Sequence, residues 1–163
     1  MNRWSLLASN LAFLLATTSA QNPPAAPPRD HDSAHRGEQG MGFPQDATSH
    51  HFLLRPDGGV VQVTADSAAD TAGIEHIRMH LEHIRGAFEA GDFSIPGFVH
   101  NQAPPGVPTM VKFKDEIRYK YEEIAQGGRL TISSKNAEAV SAIQSFLRFQ
   151  ITEHKTGDPL EVK

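Results

Sequence analysis

The sequence predicts an α+β domain made of two ββα halves, whose four strands form a mainly antiparallel sheet with two helices on one face. The first reason is the order of elements, because each half reads strand, Gly-Gly turn, strand and helix. The second is an internal repeat: residues 57–63 match residues 126–132 at an offset of 69, and residues 77–81 match residues 147–151 at an offset of 70. One ββα unit cannot bury its apolar faces, but two together can. A chance likeness between two ββα units is the alternative explanation.

The N-terminal part of the chain is expected to lie outside this domain. Residues 1–20 carry Arg3 before an apolar run and end in small residues, which is typical of a secretory signal cut after Ala20. Residues 21–34 are rich in proline and predict a flexible linker. Residues 35–163 would then form a single domain, periplasmic or secreted, and no second apolar run predicts a membrane span.

The first half is expected at about residues 50–91. Two strand-like stretches flank a turn at residues 56–59, where glycines are free to adopt positive φ. The helix that follows is expected to have Asp66 or Ser67 as its N-cap and to end at Gly91.

The second half, at about residues 110–157, is expected to follow a Pro-rich loop at residues 93–109. Alternating apolar and charged residues predict a half-solvated strand over Met110–Glu122. The chain should then turn at residues 126–128 and return as a second strand. Asn136 is the predicted N-cap of the second helix.

The composition excludes several classes of function. The chain has 15 basic and 19 acidic residues, a formal net charge of −4, which argues against a nucleic-acid partner. It contains no cysteine, so disulfides, thiol nucleophiles and thiolate metal sites are excluded. It has no GxSxG, Walker or GxGxxG motif, and the sequence therefore predicts no catalytic residue.

The clearest chemical signal is a helix that carries three histidines. At about 100° per residue, His76, His80 and His83 share the flank beside the apolar face of this helix. The second half has Gln150 at the position equivalent to His80, so the fold itself does not require an imidazole there. The apolar face consists of Ile74, Ile77, Leu81, Ile84 and Phe88.

These histidines suggest a metal site, because neutral imidazole is the commonest side-chain ligand for ions such as Zn and Cu. A closed site needs three or four ligands. We therefore predict that His51, His76, His80, His83 and His100 bind a divalent transition metal, Zn or Cu. Ordinary histidines on an amphipathic flank, without an ion, are the alternative interpretation. The HExxH motif of metalloproteases is absent.

The sequence also predicts the environments of three further residues. His50 has the same strand parity as Phe52 and Leu54, so it is expected to approach the core side of the sheet. His154 continues the apolar stripe of the second helix, and we interpret it as a structural, protonated ring near the negative end of the helix dipole. Phe43 is expected to pack onto the domain.

Three functions remain open at this point. The leading hypothesis is an exported, non-catalytic binding protein that holds a metal ion. The second is a binding module for a protein or a small molecule, without metal, that uses the loop Ile95–Pro108 and the exposed face of the sheet. The third is a histidine-dependent enzyme, for which no histidine and carboxylate pair is evident. A protein partner or a homodimer is compatible with the sequence, and no cofactor other than a metal is expected.

Several short motifs occur together, at residues 41–43, 50–52, 57–59, 77–81, 104–108 and 146–151. In these motifs the chain resembles a family of small exported bacterial proteins without a settled activity, some members of which carry the name aspartate carbamoyltransferase. The resemblance spans nearly the whole predicted mature chain and implies export and a small single domain. It does not imply transferase chemistry, because the chain is much shorter than such enzymes and lacks their Ser-Thr-Arg-Thr phosphate-binding stretch.

Overall fold

The computed structural model describes residues 39–162. Its strands are β1 (Thr48–Arg55), β2 (Gly58–Ala65), β3 (Ile117–Ile124) and β4 (Gly127–Ser134). They form one four-stranded sheet in the order β1-β2-β4-β3, and every neighbouring pair is antiparallel. A long helix follows β2 and another follows β4, so the element order is that of two ββα halves and the predicted α+β fold class is confirmed.

The hydrogen bonds that join the two hairpins follow the repeat. The N–H of Ala65 donates to the carbonyl of Gln126 at 2.8 Å, and the N–H of Ser134 donates to the carbonyl of Asp57 at 2.9 Å. The same 69-residue offset relates Ala65 to Ser134 and Asp57 to Gln126. The two bonds are therefore equivalent under exchange of the halves, which supports the internal repeat.

The helices are α1 (Thr71–Glu89), α2 (Ser94–His100), α3 (Val107–Lys112) and α4 (Ala137–His154). The side chain of Asn136 accepts hydrogen bonds from the first turn of α4, as predicted. The N-cap of α1 is Asp70, whose carboxylate accepts from the N–H of Gly73 at 2.9 Å. The prediction of Asp66 or Ser67 was wrong, because the carbonyl of Ser67 accepts the N–H of Asp70 in a turn that precedes the helix.

Each long helix packs mainly on the hairpin of the other half. Helix α1 contacts chiefly β3 and β4, whereas α4 contacts chiefly β1 and β2, on the same face of the sheet. A Cβ atom on Gly59 would collide with Leu147 of α4, and one on Gly128 would lie 2.8 Å from Leu81 of α1. The halves therefore share one core, because each helix fills a groove that the other half provides.

The Gly-Gly pairs do not form the turns that the sequence predicted. Residues 58–59 and 127–128 are the first residues of β2 and β4, and the chain turns at residues 56–57 and 125–126. The second glycine of each pair instead permits the close approach of a helix, and the first lies against the backbone of the neighbouring strand.

The segment between the halves differs from the prediction. Residues 93–109 contain α2 and the start of α3, so they are not simply a loop. The strand predicted from Met110 begins only at Ile117, because Met110 is fully buried in α3 and its N–H donates to the carbonyl of Gly106. Residues 114–116 form a short 3-10 helix before β3.

The N-terminal predictions lie mostly outside the described residues. This holds for the secretory signal at residues 1–20 and the linker at residues 21–34. Phe43 is described and is buried, which confirms that this segment packs onto the domain. Among residues 39–162, no helix combines the length and apolar character needed to cross a bilayer.

A candidate binding cavity

A cavity of about 80 Å³ lies between the sheet and the helices α1, α2 and α4. Most of its wall is aliphatic or aromatic, and its polar groups come from four histidines and one glutamine. Small-molecule sites commonly combine an apolar wall with a few polar groups in this way. The polar residues of the wall are His50, His80, His100, Gln150 and His154.

The imidazole rings lie close together in this wall. The ring of His50 stacks on that of His154 with a centroid distance of 5.4 Å, and His100 meets His154 edge-on at 5.0 Å. Phe43 lies between two of the rings, 6.3 Å from His50 and 5.5 Å from His80. Elements distant in sequence therefore bring four imidazoles together on one side of the domain.

Three of these rings are held in the neutral form. The pKa of His50 is lowered to about 4, chiefly by burial and to a smaller extent by the charge of His51. Burial also lowers the pKa of His80 to about 4 and that of His154 to about 3, with smaller effects from neighbouring histidines. Each of these rings therefore offers one donor nitrogen and one acceptor nitrogen at neutral pH. His154 is not the protonated ring that the sequence suggested.

Two polar atoms of the wall have no hydrogen-bond partner among residues 39–162. Gln150 is 4% exposed; its Oε1 accepts from Nε2 of His100 at 2.9 Å, but its Nε2 is unpaired. Nε2 of His50 is buried and unpaired as well. An unmet buried donor or acceptor costs about 1–3 kcal/mol. The cavity therefore presents hydrogen-bonding capacity that the described part of the chain does not use.

The residues of the predicted metal set lie in different environments. His80 and His100 are in the cavity wall, whereas His76 and His83 are exposed on α1. His51 is on the opposite face of β1, where its Nδ1 lies 3.0 Å from Oδ1 of Asp158. Within residues 39–162, no group of three or more histidine or acidic side chains is arranged to hold a metal ion.

Sequence reasoning identified only part of this cavity. The strand parity of His50 correctly predicted that its ring turns toward the core. Gln150 was noted only as the counterpart of His80, and His154 was interpreted as structural. The position of His154 on the apolar stripe of α4 was the available signal, since a polar ring on a buried face must lie beside a core or a cavity.

The fold and this wall define an α+β domain with a histidine-lined apolar cavity. Comparisons of the chain with protein-family models, with curated proteins and with solved structures found no match.

Proposed function

We propose that this chain is a non-catalytic binding protein that takes a small, mostly apolar molecule with an oxygen acceptor into the cavity. The unpaired Nε2 of Gln150 is the observation that carries the proposal. This atom is an amide donor in an apolar wall. A carbonyl, ether or hydroxyl oxygen of a ligand would accept its hydrogen bond and so remove the free-energy cost of a buried, unpaired donor.

The size of the cavity limits the ligand. A 150 Å³ apolar cavity accommodates benzene, so about 80 Å³ suits a group of roughly three or four heavy atoms. Neutral His50 adds a nitrogen that can donate or accept, according to its tautomer. A larger ligand would extend from the cavity toward solvent.

The test uses two probes of five heavy atoms each, butan-2-one and pentane, so one or two atoms of either probe would extend from the cavity toward solvent. We expect millimolar butan-2-one to shift the backbone amide NMR signals of Leu81, Val99 and Gln150 in the purified protein, and pentane to do so more weakly. Gln150→Met keeps the length of the side chain but removes the amide donor, so the preference for the ketone over pentane should be lost. Gln144→Met, on the same helix, is the control, because the side chain of Gln144 donates to the carbonyl of Arg55 instead. No shift with either probe would overturn the proposal and leave water as the partner of Gln150.

Metal binding stays a prediction and has its own test. Neutral His80 can act as a metal ligand. Two further histidines of the chain, His31 and His35, lie outside the described residues. If the predicted set binds Zn or Cu, the melting temperature should rise with a fixed stoichiometry, and His80→Gln should remove the rise. If no metal shifts the melting temperature at neutral pH, that hypothesis ends and the small-molecule proposal is unaffected.

A further inference from the structure

A second, polar recess of about 280 Å³ adjoins the cavity at the edge of β1 that faces away from β2. Two residues, His50 and His154, line both spaces, so the recess and the cavity meet at their stacked rings. The lining of the recess is made of hydroxyls and imidazoles: Thr48, Ser49, His50, His51, His154 and Thr156.

Asp158 holds the imidazole of His51 in this recess. Its side chain is only 9% exposed, and Oδ1 lies 3.0 Å from Nδ1 of His51. Oδ2 accepts from the N–H of Phe52 at 2.9 Å and from the hydroxyl of Thr156 at 2.7 Å. Burial acts to raise the pKa of Asp158, but these hydrogen bonds outweigh it and the pKa is lowered.

An ionised carboxylate only accepts hydrogen bonds, so Nδ1 of His51 must carry the proton. In the neutral ring Nε2 is then an acceptor, and the side chain is 45% exposed. The hydroxyl hydrogens of the recess are directed elsewhere: Ser49 donates to Asp66 at 2.7 Å, and Thr48 donates to the carbonyl of Pro44 at 3.2 Å. Thr156 donates to Asp158, and its Oγ1 also accepts from the N–H of Asp158 at 3.3 Å. The acceptors that the recess offers to a ligand are therefore Nε2 of His51 and the hydroxyl oxygen of Ser49.

We propose that this recess holds the ammonium group of a small amine whose apolar body occupies the adjoining cavity. An ammonium has three N–H donors and no acceptor, which matches Nε2 of His51 and the hydroxyl oxygen of Ser49. The carboxylates of Asp66 and Asp158 add negative charge beside the recess. This inference rests on the proposed function, because the cavity must accept the apolar body.

The experiment compares butylamine, butan-1-ol and butanoate at pH 8, where imidazole is ordinarily neutral. Affinities are measured by NMR titration of the purified protein. We expect butylamine to bind most tightly and butanoate least. His51→Ala should weaken butylamine about tenfold or more, the factor expected for one hydrogen bond to a charged group, and should leave butan-2-one binding in the cavity unchanged. His76→Ala, at an exposed position on α1, is the matched control and should change neither affinity.

The outcomes separate the two proposals. If the cavity signals respond to butan-2-one but butylamine and butanoate bind equally, or if His51→Ala has no effect on butylamine, the ammonium site is wrong and the proposed function stands. If no probe shifts the cavity signals, both proposals fail. Tighter binding of butanoate than of butylamine would show that the recess donates hydrogen bonds to its ligand, and would overturn the inference.

Discussion

The imidazole of His50 stacks on that of His154, with ring planes 13° apart and centroids separated by 5.4 Å. The two rings come from β1 and from the last turn of α4, so the contact joins the first half to the second. Both pKa values are lowered, first by burial and then by the neighbouring histidines. The contact is therefore stable only while the rings are neutral.

The fold should lose stability in mild acid. The pKa of His50 and of His80 falls from 6.5 in the unfolded chain to about 4 in the fold. Stability from these neutral rings is fully present above pH 6.5 and is lost as the pH falls from 6.5 toward 4, because the unfolded chain takes up protons first. One pKa unit is about 1.4 kcal/mol, so each ring contributes about 3 kcal/mol. Among the described residues, the carboxylate of Asp66 acts against the lowering of the pKa of His50.

Urea denaturation at pH 7, 6, 5 and 4.5 measures this effect. The free energy of unfolding should fall steadily over this series, by several kcal/mol in all, against a typical total of about 5–15 kcal/mol. An unchanged free energy between pH 7 and pH 5 would show that the rings are protonated or solvated in the fold.

His154→Phe should make the fold less sensitive to acid. A phenyl ring keeps the contacts with the rings of His50 and Phe52, but it cannot take up a proton. We expect the variant to unfold near the wild-type urea concentration at pH 7 and to be about 2 kcal/mol more stable than wild type at pH 5. His76→Gln, which changes an exposed ring on α1, should leave the pH dependence as it is. Equal pH dependence in His154→Phe and wild type would contradict the assignment of His154.

The sequence was sufficient for the fold because its main signals are local or periodic. The alternation of residue types along β1 and the apolar stripe of α1 predicted which face of each element is buried. The same alternation predicted that the ring of His50 points toward the core. The Gly-Gly pairs are recognisable in the sequence as a repeated feature, but the sequence does not show why glycine is needed there. Position 59 needs glycine because Leu147, on the helix of the other half, packs directly against it. No local sequence pattern encodes that contact.

The site was predicted less well because it depends on tertiary contacts. The three histidines of α1 are close in sequence, but only His80 faces the cavity, since the other two lie on the solvent side of the helix. His154 joins His50 and His100 only because α4 packs on the first hairpin and α2 packs beside it. Periodicity predicts the face of an element, not which distant element covers that face.

Gly106→Ala and Gly86→Ala should have opposite effects on stability. Gly106 has φ of +85° at the start of α3, and a Cβ there would collide with the carbonyl of Ala142. We expect a loss of about 2–4 kcal/mol, because a strained backbone and a steric clash add. Gly86 lies within α1 with no atom near its Cβ direction, so alanine there should stabilise by about 0.5–1 kcal/mol. Urea denaturation at pH 7 measures both, and a neutral Gly106→Ala would mean that α3 does not pack against α4 at this point.

Asp158→Asn should reverse the tautomer of His51. The amide oxygen is expected to take the place of Oδ2, because Phe52 and Thr156 both donate to that position. The amide nitrogen then faces Nδ1 of His51 and donates to it, so the ring proton must move to Nε2. The ring 15N chemical shifts of His51 at pH 8 distinguish the two tautomers, and Asp66→Asn is the control because Asp66 contacts Ser49 instead. A wild-type pattern of shifts in Asp158→Asn would show that the carboxylate does not orient the ring. With the proton on Nε2, the recess would offer a donor at His51, so butylamine should bind more weakly than to wild type.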